Sequence, residues 1–194
     1  MSHHYYSYDW KIYELIPDYS NIIDIGFGYG AWGYQLKVRR KAKNIIGIEP
    51  YLPYCNNMNK LNIYDEIMNK NIFEVPKYSL YKSKNIVLCC DVIEHINRYE
   101  ADSFIELLES WGDTVIITTP NGNMKNEQST DGNELNKHRS YYDRKFFSDR
   151  GYTTESVRYY PAPPKIFRWM IDLYWLIKVG NIVDSQIVAF KKCR

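Results

Sequence analysis

The chain has 194 residues, of which 45% are hydrophobic, 16% aromatic and 25% charged. That is ordinary globular composition at a length suited to one domain, so a two-domain enzyme is not expected and no disulfide or metal is needed to hold a core. With 25 Lys and Arg against 23 Asp and Glu, the formal charge is +2, which gives no general field for a polyanion and confines any nucleic-acid contact to a local patch.

The four cysteines, Cys55, Cys89, Cys90 and Cys193, show no CxxC spacing, and two of them sit inside an apolar run, so reduced thiols are expected. The start, MSHHYYSYDW, lacks the pattern of a signal peptide, and no run of about 18 apolar residues follows. A cytoplasmic protein without a transmembrane segment is the expectation.

In chain order, residues 1–20 form a lead-in crowded with Tyr5, Tyr6, Tyr8, Trp10 and Tyr13, expected to pack on the sheet edge or close over a ligand rather than build a large substrate cap. Strands are predicted at 21–25, 44–48, 64–68, 85–90 and 114–119. Helices are predicted between them at 31–40, 53–61 and 98–110, the last carrying Phe104, Leu107 and Leu108 along one face. This βαβ alternation predicts a mainly parallel sheet with helices on both faces. The polar stretch at 120–140 has no apolar periodicity and is expected to overhang a site. Residues 152–160 and 185–191 read as two more strands. Between them a helical insertion at 161–180 carries Phe167, Trp169, Met170, Tyr174 and Trp175, apolar nearly all round, so 165–179 is expected to be a substrate-side cap or a homodimer contact in preference to a membrane-surface helix. A single domain over 1–194 is the expectation.

The segment NIIDIGFGYG at 21–30 places an apolar strand directly before three alternating glycines and a helix start. Backbone amides at such a turn favour a carboxylate or phosphate, and the absent Cβ atoms let a ligand approach. Glu49 ends the next strand, where its oxygens can accept from a ribose diol. Gly28, Gly30 and Gly33 also satisfy the dinucleotide pattern GxGxxG, but the strand ends before Gly26, which is the wrong register. The spacing Asp24-x-Gly26-x-Gly28-x-Gly30 resembles instead the first motif of class I S-adenosylmethionine-dependent methyltransferases.

The resemblance continues beyond that loop. NIVLCCDVIEHI at 85–96 is similar to the fourth-strand motif of the branch containing ubiquinone-biosynthesis O-methyltransferases. VIITTPN at 115–121 and IVAF at 187–190 resemble its following strand and its last, antiparallel one. The resemblance implies a Rossmann-like α/β fold with a seven-stranded sheet. It also implies S-adenosyl-L-methionine as cofactor, with Gly26, Gly28 and Gly30 under the methionine portion, Glu49 on the ribose and Asn71 and Ile72 beside the adenine. Asp24 and Asp91 complete the implied cofactor set, and the family usually has Asp where Asn71 stands.

Asp91, Glu94 and His95 are spaced i, i+3, i+4, one side of a helix that would start at Asp91. Two readings follow. Asp91 and Glu94 can form a capping box, or they can join His95 and the later His138 around a divalent cation such as Mg²⁺. An acid-x-x-Glu-His element completed by a later His resembles the metal site of small-RNA 3′-terminal 2′-O-methyltransferases. His95 or His138 also suits a general base, imidazole being the side chain that ordinarily changes charge near neutral pH, and Lys137, Arg139 and Tyr141 can touch substrate. The one dense basic run, at 37–43, fits a solvated helix end better than an RNA contact.

The expected function is therefore methyl transfer to an acceptor, foremost a hydroxyl of a small metabolite. The alternatives are a metal-assisted RNA ribose methyltransferase and a non-catalytic S-adenosylmethionine-binding regulator, with a nicotinamide oxidoreductase as the fold-level rival.

Overall fold

Central strands that are apolar on both sides need a layer of helices on each face. The computed structural model describes residues 9–81, 84–122, 132–158 and 184–193. Its strands are β1 (Ser20–Ile25), β2 (Ala42–Ile48), β3 (Glu66–Met68), β4 (Asn85–Cys90), β5 (Thr114–Pro120), β6 (Thr153–Arg158) and β7 (Asp184–Lys192). Its helices are α1 (Asp9–Leu15), α2 (Ala31–Val38), α3 (Leu52–Leu61), α4 (Ala101–Trp111) and α5 (Arg144–Ser148). The strands form one seven-stranded sheet in the order β3-β2-β1-β4-β5-β7-β6. The first five pair in parallel, and β7 runs antiparallel to both β5 and β6, which is the expected sheet.

Period-two alternation sorts the strand residues into two cores. Ile23, Val87, Cys89, Val115 and Ile117 pack with Phe104, Leu108 and Trp111 of α4 and with Phe146 and Phe147 of α5. Ile22, Leu88 and Ile116 point the other way, onto Ile12 of α1, Leu36 of α2 and Tyr54, Cys55 and Met58 of α3.

The departures from expectation are local. β3 starts at Glu66 rather than at residue 64 because Tyr64 turns into the second core and donates its hydroxyl to Asp24 at 2.8 Å. The lead-in contains α1, whose Ile12 is fully buried while Trp10 stays exposed. The helix expected from residue 98 begins as a 3-10 turn, Arg98–Glu100, and becomes α-helical at Ala101. The short α5, capped by Asp143 whose carboxylate accepts from the amide of Phe146 at 2.8 Å, is not legible as a helix in the sequence. Tyr5, Tyr6, Tyr8, residues 123–131 of the polar stretch and the insertion at 161–180 lie outside the described residues.

Sheet order positions the site. The chain steps from β1 outward to β2 and β3, then returns to the other side of β1 as β4. Loops leaving the carboxyl ends of β1 and β4 therefore diverge, and a crevice opens between them.

Candidate functional site

A cavity of about 240 Å³ occupies that crevice. Every strand from β1 to β5 contributes the residues that follow its carboxyl end: Gly26 and Gly28 after β1, Glu49 after β2, Asn71 and Ile72 after β3, Asp91 and His95 after β4, and Arg139 after β5. The dinucleotide register is absent, since β1 stops at Ile25 and α2 starts at Ala31.

The three glycines of the turn have separate jobs. A Cβ on Gly26 would meet Val92 Cγ2 at 2.6 Å, and one on Gly30 would meet Met58 Sδ at 2.2 Å. A Cβ on Gly28 would meet nothing nearer than 4.0 Å, so of the three it is the one where a methyl would stand in open cavity. Gly30 does not line it, contrary to expectation, but serves as the left-handed N-cap of α2 with φ 71. Asp24 is likewise behind the cavity rather than in it. Its carboxylate is buried against the Tyr64 hydroxyl, and burial lifts its pKa from 3.8 to about 7, with the Tyr64 bond opposing and Glu49 adding to the rise.

Glu49 is 5% exposed and holds the turn together. Its Oε2 accepts from the Gly28 amide at 3.0 Å and its Oε1 from the Tyr51 amide at 2.9 Å. Burial raises its pKa, and these two backbone bonds pull it back. Each oxygen keeps a lone pair for a ligand hydroxyl. Asn71 caps a 3-10 turn, Ile72–Glu74, its side chain accepting from Phe73 N at 3.1 Å while Glu74 accepts from Asn71 N at 3.0 Å. The capping box lies here and not at Asp91.

No helix begins at Asp91. The residue has φ 55, and a single 3-10 turn, Ile93–His95, follows with Val92 as an N-cap that makes no side-chain cap bond. A left-handed aspartate at a strand end is sparsely populated backbone of the kind found at ligand sites. Its Oδ1 accepts from Thr118 Oγ1 at 3.1 Å and from Gln186 Nε2. The tight turn sends Glu94 inward instead, to accept from Thr119 Oγ1 at 3.0 Å. Burial, then the nearby Asp91 charge, raises the Glu94 pKa well above its ordinary value.

The donor atoms of Glu94, His95 and His138 lie within 4.8 Å of one another. Asp91 does not belong to this group, which corrects the four-ligand expectation. His138 arrives through backbone bonds: Arg139 N and Ser140 N both donate to the Glu94 carbonyl, at 2.8 and 3.1 Å. His95 Nδ1 lies 3.1 Å from the Lys137 carbonyl. A carbonyl only accepts, so the ring carries its proton on Nδ1 and leaves Nε2 as a lone pair for a proton or a cation. Burial pushes the His95 pKa below its usual value, which keeps that lone pair available near neutrality. One carboxylate and two imidazoles suit a divalent metal ion by donor chemistry.

Sequence reasoning missed Gln186 as the partner of Asp91 and missed Tyr54, Asn97, Glu100, Asn133 and Asn136 around the cavity. Pairing of β5 with β7 brings Gln186 opposite Pro120, and no local pattern marks it. The basic run at 37–43 precedes the carboxyl half of β2 and so lies toward the end of the sheet opposite the cavity, where Lys37 pairs with Asp65 at 3.6 Å and Lys41 with Asp18 at 2.7 Å. Among the described residues no helix is long and apolar enough to cross a membrane.

No protein-family model and no curated protein sequence matches the chain. Solved structures do. A SAM-dependent methyltransferase from Archaeoglobus fulgidus is similar with a TM-score of 0.64 at 13% identity, over 94% of this chain and 90% of that one. The N-terminal domain of EvdMO1 with SAH bound has a TM-score of 0.63 at 13% identity, over 95% and 79%. The methyltransferase domain of bacterial CtHen1-CN has a TM-score of 0.55 at 18% identity, over 94% and 95%. The fold is thus the Rossmann-like fold of class I methyltransferases.

Proposed function

We propose that this chain is an S-adenosylmethionine-dependent methyltransferase whose acceptor is a hydroxyl of a small metabolite. The observation that carries this reading is one crevice in which the bare backbone of Gly28, the Glu49 carboxylate bonded to it at 3.0 Å and the His95 imidazole stand together. Glu49 accepts from the ribose hydroxyls, Gly28 lets the ligand lie against the turn, and Asn71 and Ile72 flank the base. The sulfonium is already a strong electrophile, so catalysis is mostly in-line placement and exclusion of water. His95 Nε2 takes the acceptor proton as the oxygen attacks.

A second reading is favoured by the approach of Glu94, His95 and His138 to one another. These three would hold a divalent cation, which would supply Lewis acidity toward an acceptor hydroxyl. With it, an RNA ribose becomes an acceptor to test beside small metabolites.

Calorimetric titration of the purified chain with S-adenosylhomocysteine in chelator-treated buffer tests the cofactor. Saturable binding is expected. A folded chain that binds neither in chelator nor with added Mg²⁺, and binds NAD instead, refutes the proposal. Transfer of labelled methyl to hydroxylated metabolites, with and without Mg²⁺, then separates the two readings.

A further inference from the structure

β7 runs Gln186, Ile187, Val188, Ala189 through the core, and the last three are fully buried while Gln186 is 7% exposed. A primary amide in such a place costs free energy unless its hydrogen bonds are made. The bond it makes is to Asp91 Oδ1, the same oxygen that accepts from the buried Thr118 hydroxyl at 3.1 Å. Asp91 N in turn donates to the Thr118 carbonyl at 3.0 Å. Two strands, β5 and β7, thus grip one carboxylate whose own backbone is left-handed, and that carboxylate stands exposed at the cavity.

The other acids of the cavity are engaged differently. Glu49 accepts from two backbone amides, and Glu100 Oε2 accepts from Asn97 Nδ2 at 2.6 Å. On the proposed cofactor reading, the nucleoside lies toward Glu49 and Asn71, beyond β2 and β3. β4 is on the other side of β1, so the amino-acid end of the ligand extends toward Asp91. A carboxylate there complements an ammonium group, and a held carboxylate loses less freedom on binding than a loose one.

We infer that Gln186, with Thr118, is a positioning residue for the amino-acid end of the cofactor, fixing the Asp91 carboxylate where a ligand ammonium group is received. The inference rests on the proposed cofactor reading. Its role is exerted through Asp91 and not by contact with the ligand.

The test compares two probes by calorimetry: S-adenosylhomocysteine, and 5′-methylthioadenosine, which shares the nucleoside and sulfur but lacks the amino-acid end. Gln186→Leu is expected to weaken the first about tenfold, as loss of a bond to a charged group predicts, and to leave the second unchanged. Thr118→Val, nearly isosteric, removes the other donor to the same oxygen and is expected to show the same selectivity, which keeps the test decisive if Gln186→Leu does not fold. In an Asp91→Asn background either substitution should add little. Equal weakening of both probes, or of neither, overturns the inference. A wild-type chain that binds neither probe overturns the cofactor reading and the inference with it, whereas wild-type binding with unselective variants overturns the inference alone.

Discussion

Asp24 is buried beneath the glycine turn with no cation beside it among the described residues, and its pKa stands at about 7 against an ordinary 3.8. Burial is the main cause, since a carboxylate loses hydration that one Tyr64 hydroxyl bond restores only in part. The sign of the pH effect follows. A carboxyl whose pKa is raised by folding binds its proton more tightly in the folded state, so stability falls as pH rises from the unfolded value toward about 7 and levels off above it. A rise of about three units corresponds to about 4 kcal/mol in total, or up to about 1.4 kcal/mol per pH unit. Asp24→Asn keeps an acceptor for the Tyr64 hydroxyl and removes the titration. Urea unfolding of both proteins at pH 5, 6, 7 and 8 reads the difference directly. The variant's advantage should widen from pH 5 to pH 7 by about 2 to 3 kcal/mol, then hold steady. A difference that stays constant between pH 5 and pH 7, or that narrows, would refute the assignment of a buried, late-ionising acid.

The glycine turn gives a contrast between neighbours: Gly28→Ala places its methyl in open cavity at positive φ, so it should cost about 1 to 2 kcal/mol of stability and a larger factor in S-adenosylhomocysteine affinity. Gly26→Ala drives into Val92 at 2.6 Å and should show its main effect in thermal unfolding. Glu49→Gln turns an amide donor toward one of the two backbone N–H groups it now accepts from, and titration should find affinity lower by at least about tenfold; unchanged affinity would remove Glu49 from the ligand. His138→Ala should weaken Mn²⁺ binding measured by paramagnetic relaxation, while Asp91→Asn should not, because Asp91 is outside the three-donor group. A wild-type chain with no Mn²⁺ affinity would end the cation reading.

The parts of the site legible in the sequence are those built from contiguous residues. A strand ending at Ile25, glycines at alternate positions and a helix from Ala31 are local events, and the folded chain has each of them there. Glu49 at the end of the next strand follows from the same periodicity. Asp91, Glu94 and His95 were legible as residues but not as geometry. Helical spacing would place all three on one side, whereas the left-handed backbone of Asp91 and one turn of 3-10 helix part Asp91 from the other two, sending Asp91 to Thr118 and Gln186 and Glu94 to Thr119. Short α5 escaped notice because two turns or fewer leave no apolar period to read.

What the sequence alone determined is the alternating βαβ chain, the mainly parallel sheet and the loop that faces the crevice, because apolar periodicity and glycine placement act over a few residues. Tertiary structure decided which distant groups meet. His138 comes to His95 through backbone bonds to Glu94, Gln186 comes to Asp91 because β7 inserts beside β5, and Gly30 and Asp24 turn away from the cavity because Met58 and Tyr64 pack against them. Each of these contacts depends on the order of strands in the sheet, which is fixed by burial on both faces at once and leaves no mark at any single position.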